Sequence, residues 1–152
     1  MTLLGEEDGA DFTSGVSYLD IAQFICRFGI NVDKNLEELW RRMVFNIAVS
    51  NCDDHLRNHG FILKTRGWEL SPGFDMNPVP GGSGLKLNIT QDDNILDFDL
   101  AMKVISYFRI PENKARHILA EIKKTVSSWK TAASRYRINK IEQEIVGSAF
   151  RY

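Results

Sequence analysis

The chain is 152 residues long, 43% apolar and 26% charged, with nineteen basic and twenty acidic residues and a formal net charge of -1. This is the composition of one folded domain; it excludes a wholly disordered chain and lacks the bulk positive charge of a dedicated nucleic-acid binder. No apolar run reaches a membrane span, MTLLGEEDGADF lacks the pattern of a signal peptide, and two cysteines without CxxC spacing, Cys26 and Cys52, point to a reduced, cytoplasmic setting.

The first seventeen residues are acidic and glycine-rich and predict an entry loop. Ser17 with Asp20 three places on predicts a capped helix start, the helix running to about Phe28 and ending at Gly29. Asp33 or Asn35 is the expected cap of a second helix reaching about Val49, because Leu36, Leu39, Trp40, Met43, Val44 and Ile47 recur at helical spacing. After a polar stretch at 50–58, GFIL, KTRG and WEL predict two short strands around a turn ending at Gly67. Ser71 to Pro80 holds three of the four prolines and predicts extended loop. GGSG at 81–84 reads as a flexible link and the alternating LKLNIT at 85–90 as a strand.

The remainder predicts helix. One covers Phe98 to about Phe108. A longer one opens on Pro111, with Ala115, Leu119, Ile122, Val126, Trp129, Ala133 and Tyr136 as its core seam. Arg116, Lys123, Lys130 and Arg137 form an opposing basic stripe, read as a solvated face ahead of a surface for nucleic acid or an acidic partner. A last helix starts near Asn139. The expected fold class is mainly α with a small β-hairpin. Trp40 and Trp129 read as core, and Cys26 and Cys52 as small apolar fillers.

The chemistry concentrates in Asn51-Cys52-Asp53-Asp54-His55-Leu56-Arg57-Asn58. An Asp followed five residues later by an Asn, here Asp53 and Asn58, is the spacing of a protein-kinase catalytic loop. Phosphoryl transfer needs a carboxylate to orient the attacking hydroxyl and oxygen ligands to hold a metal ion on the phosphates. A hairpin follows, and then Asp75 in LSPGFD, 22 residues after Asp53, offers a second carboxylate.

In this order, VFNIAVSNCDDHLRNHGFIL followed by WELSPGFDMNPVP resembles the C-terminal lobe of HipA-type serine/threonine kinases, bacterial toxin kinases of toxin–antitoxin pairs. TLLGEEDGADFTSGVSYLDIAQFI also looks like the family segment that leads into that lobe. The resemblance implies a protein-kinase-like C-terminal lobe over residues 1–152, with Asp53 as catalytic base and Asn58 and Asp75 as ligands of Mg2+. His55 falls where ordinary protein kinases carry a phosphate-contacting lysine. ATP is the implied donor and a protein hydroxyl the acceptor, an aminoacyl-tRNA synthetase being one such substrate. A helix-turn-helix antitoxin is the implied partner. An N-terminal nucleotide-binding lobe is expected to be absent from this chain, which alone is then expected to be inactive.

A similar Asp-x-His-x-x-Asn loop occurs in phosphoinositide kinases, so the loop leaves the substrate class open. Phe74-Asp75-Met76 departs from Asp-Phe-Gly, so control by an ordinary activation loop is not carried over. Gly81-Gly82-Ser83-Gly84 lacks the Walker pattern and reads as a turn. Two other readings use the same residues. One is a non-catalytic lobe, or a split-kinase subunit, acting by binding the partner that carries the other lobe. The other is a metal hydrolase using Cys52, Asp53, His55 and His59, against which stands the loop character of a stretch where two histidines four apart would need a helix. Asp54 reads as a solvated neighbour of Asp53, and Arg57 as a phosphate contact or half of a surface ion pair.

Overall fold

A computed structural model describes residues 3–152. Its regular structure is six α-helices and one two-stranded antiparallel sheet among the described residues. None of the described helices is long and apolar enough to cross a membrane.

Helix α1, Tyr18–Phe28, starts as its sequence demands: the Asp20 carboxylate accepts from both the backbone N–H and the hydroxyl of Ser17 at 2.8 Å. It stops at Gly29, where a Cβ would lie 2.4 Å from the Ile25 carbonyl oxygen. Helix α2, Val32–Ala48, is capped at Asn31 rather than at Asp33 or Asn35. Asn31 takes the left-handed conformation, φ 49°, which asparagine tolerates better than most residues. Asn35 instead lies in the first turn and donates its side-chain N–H to the Ile30 carbonyl at 2.6 Å. The whole predicted stripe of α2, from Leu36 to Ile47, is fully buried. The indole N–H of Trp40 on that stripe donates to the Ala101 carbonyl at 3.0 Å, so a large apolar body is buried with its polar tip satisfied.

Strands β1, Phe61–Lys64, and β2, Gly67–Leu70, pair with Phe61 opposite Leu70 and Lys64 opposite Gly67. The hairpin rests on α1 through Phe24, whose ring meets that of Phe61 edge-on at 4.7 Å, and hangs on the α1–α2 link through the Ile30 N–H, which donates to the Trp68 carbonyl at 2.8 Å.

The expected strand at 85–90 does not form. Leu85, Leu87 and Ile89 are buried as the alternation requires, yet the backbone makes only isolated bridges, Ser17 with Asn88 and Gly84 with Ile95. Alternation reports which side of a segment meets the core; a ladder also needs a straight neighbour. Here the neighbour is the entry loop, where the Phe12 N–H donates to the Lys86 carbonyl at 2.8 Å and the Asn88 amide donates to the Phe12 carbonyl at 3.1 Å. That loop itself contains a 3-10 turn, Phe12–Ser14, capped by Asp11.

The helix expected over 98–108 is α3, Phe98–Lys103, followed by a separate 3-10 turn, Ile105–Phe108. The long helix is two: α4, Glu112–Ser127, and α5, Trp129–Arg135. At the break the hydroxyls of Ser127 and Ser128 donate to the Lys124 and Thr125 carbonyls at 2.8 Å, competing for the acceptors a continuous helix would use. The seam changes accordingly. Ala115, Val126, Trp129 and Ala133 are buried together with Ile118, Leu119 and Ile122 are half-buried, and Tyr136 is 78% exposed. Nor is the basic stripe uniformly solvated, for Lys123 is half-buried with its ammonium 4.9 Å from the centre of the Phe98 ring. Helix α6, Lys140–Val146, is capped by Asn139 as expected, and a 3-10 turn, Gly147–Ala149, follows it. Cys26 is exposed rather than an apolar filler, and Cys52 is half-buried.

Candidate active site

The loop that carries Asp53 is built at the end of α2. Ser50 reverses the chain in a left-handed conformation, φ 50°, and the Asn51 N–H donates to the Asn46 carbonyl at 2.8 Å. Buried Leu56 anchors a 3-10 turn, Leu56–Asn58, that feeds β1. The loop therefore spans a helix end and a strand start, both fixed by core packing.

Asp53 is exposed, and Asn58 is buried with its amide N–H donating to the Asp53 carbonyl at 3.4 Å. The two ends of the motif are thus adjacent. Asp75 is exposed and stands in the left-handed region, φ 57°, with its Oδ1 accepting from the Asn77 amide at 2.7 Å. What ties Asp75 to the loop is Asn51, whose Nδ2 donates to the Asp75 carbonyl at 3.4 Å and to Asn46 Oδ1 at 3.1 Å. The start of the same segment is held by Arg42, whose side chain is only 6% exposed. Its Nη2 donates to the Ser71 carbonyl at 2.5 Å and its Nε to Glu38 at 2.9 Å, while Nη1 has no partner among the described residues.

A cavity of about 250 Å³ opens beside Asp53, lined also by His55, Arg57, Lys86 and Asp8; Asn58 and Asp75 are not part of its lining. His55 Nε2 lies 3.4 Å from Arg57 Nη2, and its buried Nδ1 has no partner among the described residues. Arg57 pairs with Asp8 at 2.6 Å, an exposed contact worth about 1 kcal/mol or less.

Asp54 is not a solvated neighbour: it is 2% exposed. Its carboxylate accepts from the Tyr18 hydroxyl on α1 and, at 2.9 Å, from His59 Nε2–H. Asn46 donates to the Tyr18 oxygen at 3.2 Å, and the Tyr18 and His59 rings meet edge-on at 5.6 Å. Burial first, and the Asp54 charge second, hold the Tyr18 phenol well above its usual pKa. Tyr18, Asn46, Asn51, Asp54 and His59 thus form one buried polar network beneath the loop. Its one sequence signal is Asn46, a polar residue at a position where the helical spacing of α2 demands burial. With His59 committed to Asp54, the zinc arrangement does not assemble, and among the described residues no three His, Cys, Asp or Glu gather into a group that could hold a metal ion.

The donors left for a hard cation are all oxygens. They are the exposed carboxylates of Asp53 and Asp75 and Oδ1 of Asn58, which accepts no hydrogen bond from the described residues. An all-oxygen donor set is the kind that Mg2+ takes.

Comparison with known proteins places the chain in a family. The HipA-like C-terminal domain matches residues 1–129, and the chain belongs to that family. A Haemophilus influenzae protein named "Putative kinase" is 37% identical over 76 residues, a match covering 47% of this chain and 22% of that protein. The chain therefore spans about a fifth of the length of the curated relative it matches.

Proposed function

We propose that the chain is the catalytic C-terminal lobe of a serine/threonine protein kinase of a toxin–antitoxin system, using ATP and Mg2+ to phosphorylate a protein hydroxyl. The observation that carries this reading is the exposed Asp53 carboxylate, with Asn58 bonded to its backbone and Asp75 tied to the same loop by Asn51. Asp53 has no side-chain partner among the described residues, so its carboxylate is free to accept a hydrogen bond from a substrate hydroxyl, and then the proton as that oxygen attacks. Asn58 is held by its own amide, and its oxygen accepts no hydrogen bond from the described residues. Asp75, braced by Asn77, presents a carboxylate from a turn that its left-handed backbone fixes. Asn58 and Asp75 would hold a Mg2+ ion, which when bound would neutralise phosphate charge. Arg57 and Lys86 add positive charge to the cavity wall beside Asp53. An aminoacyl-tRNA synthetase as substrate and a helix-turn-helix antitoxin as partner are suggested by the resemblance and not by this geometry.

The test is transfer of labelled phosphate from ATP by the chain, alone and joined to the nucleotide-binding lobe of a related kinase. Asp53→Asn and Asp75→Asn should each lower transfer by about two orders of magnitude or more. Both should melt close to wild type, because both carboxylates are exposed and asparagine tolerates the conformation of Asp75. Undiminished transfer by Asp53→Asn removes Asp53 from the role of base. No transfer by either wild-type form favours the partner-binding lobe instead.

A further inference from the structure

We infer that the C-terminal tail, through Arg151, is a brace that positions the candidate phosphoryl-transfer loop. The tail lies beyond the residues that match the family, 1–129, yet it returns to the base of the loop. Arg151 Nε donates to Ser50 Oγ at 2.9 Å, its Nη2 to the Gly82 carbonyl at 3.3 Å, and its backbone N–H to the Ala48 carbonyl at 2.7 Å. Ser50 Oγ in turn donates to the Ala149 carbonyl at 2.7 Å. The tail is seated by its own packing: Ala149 is fully buried, and the Phe150 ring stacks on Trp129 at 4.2 Å.

The points Arg151 grips are the ones that matter for the site. Ser50 is fully buried and is the residue at which the chain leaves α2 for Asp53. Its carbonyl accepts from the Cys52 N–H at 2.8 Å and from the Val79 N–H at 3.2 Å, so it joins the Asp53 loop to the stretch that follows Asp75. Gly82 lies against Cys52, where a Cβ would come within 2.1 Å of the sulfur. One guanidinium thus bridges the entry of one functional segment and the exit of the other. It also sets a cation at the end of α2, where the free carbonyls favour positive charge. The Val79 backbone joins the same two points, its N–H donating to the Ser50 carbonyl and its carbonyl accepting from the Gly82 N–H, and Arg151 is the side chain that bonds both.

This rests on reading 51–58 as the transfer loop, but the test does not. Cys52 is the reporter: it is half-buried and covered by Gly82, so loosening the brace uncovers its thiol. Burial holds the thiol pKa up and the Arg151 charge draws it down, so losing that charge alone would slow the reaction. Exposed Cys26 is the internal reference. Alkylation by iodoacetamide is followed at each cysteine by mass spectrometry in wild type, Arg151→Gln and Arg151→Lys. Hydrogen exchange is read in parallel. The expected result is several-fold faster alkylation of Cys52 in Arg151→Gln, with Cys26 unchanged and most of the effect reversed by lysine. Exchange should rise about tenfold at 50–54 and 79–84 and stay at wild-type level in α1. Wild-type exchange at 50–54 and 79–84 in the glutamine variant overturns the brace, whatever the Cys52 rate. So does a uniform loss of protection through α1 and α2, which would make Arg151 a general stabiliser. Loss of transfer in Asp53→Asn decides the reading of the loop separately, so either proposal can fail alone.

Discussion

Asp54→Ala is the sharpest probe of the buried network. Asp54 is 2% exposed and accepts from two donors, the Tyr18 hydroxyl and His59 Nε2–H. Truncation to alanine leaves both donors in place and takes away their acceptor. Tyr18 is fully buried, and its remaining partner, Asn46, donates to it and offers no acceptor. His59 is buried as well, and its other ring nitrogen already has no partner among the described residues. Each orphaned buried donor costs about 1–3 kcal/mol, so the pair should cost about 2–6 kcal/mol. For a chain of this size 1 kcal/mol moves Tm by about 2–4 °C, which puts the loss on the order of 10 °C. Tyr18→Phe removes one donor along with its need for a partner and should cost less. Because the two side chains share one hydrogen bond, the double variant should fall short of the sum of the singles by about 0.5–3 kcal/mol. Urea denaturation and thermal melts of the four proteins close the cycle. If Asp54→Ala melts within about 2 °C of wild type, or the two substitutions simply add, the network does not hold the loop and the argument fails.

The same phenol gives a pH dependence. The Tyr18 pKa is raised in the folded state, so its contribution is fully present below the ordinary tyrosine value of 10.0 and is lost as pH rises above it. Urea midpoints followed from about pH 8 to pH 11 should fall for wild type and fall less for Tyr18→Phe, and identical curves would count against the shift. Gly29→Ala should destabilise by about 1–3 kcal/mol, because its Cβ would sit 2.4 Å from the Ile25 carbonyl oxygen; a neutral urea midpoint would show that the α1 terminus gives way freely. Trp129→Ala should cost about 3–5 kcal/mol by emptying the site stacked on Phe150, and wild-type stability in that variant would remove Trp129 from the core.

Features set within a few residues were legible in the sequence. The Ser17–Asp20 cap, the buried stripe of α2 and the hairpin at 61–70 depend on neighbours that a reader sees at once. The Asp53–Asn58 spacing was legible for the same reason. Asp54 was not, because what buries it is Tyr18, 36 residues away, and the packing of α1 over the loop. Arg42 reads as surface charge until the chain returns to it at Ser71, and Arg151 until the tail returns to Ser50. The strand expected at 85–90 failed in the opposite sense: a correct inward face was taken for a pairing. The break at Ser128 has local causes, two adjacent serines, which the regular spacing of Val126 and Trp129 concealed.

From Ser71 to Asp97 the chain carries Asp75 through a stretch with neither helix nor strand. No ladder spreads load along it. Within it Leu85, Leu87 and Ile89 are held by the core, but from Ser71 to Val79 order comes from separate fastenings, chiefly Arg42 at Ser71, Asn51 at Asp75 and Ser50 at Val79. A stretch secured this way can open one fastening at a time. Each costs about 0.5–1.5 kcal/mol, well under the cost of global unfolding. The placement of Asp75 beside the Asp53 loop is therefore a population, set by a few bonds and not by the helices. Substitutions at Arg42 or Asn51, which fasten it by their side chains, tune how often Asp75 is in that place while the core around Trp40 stays intact.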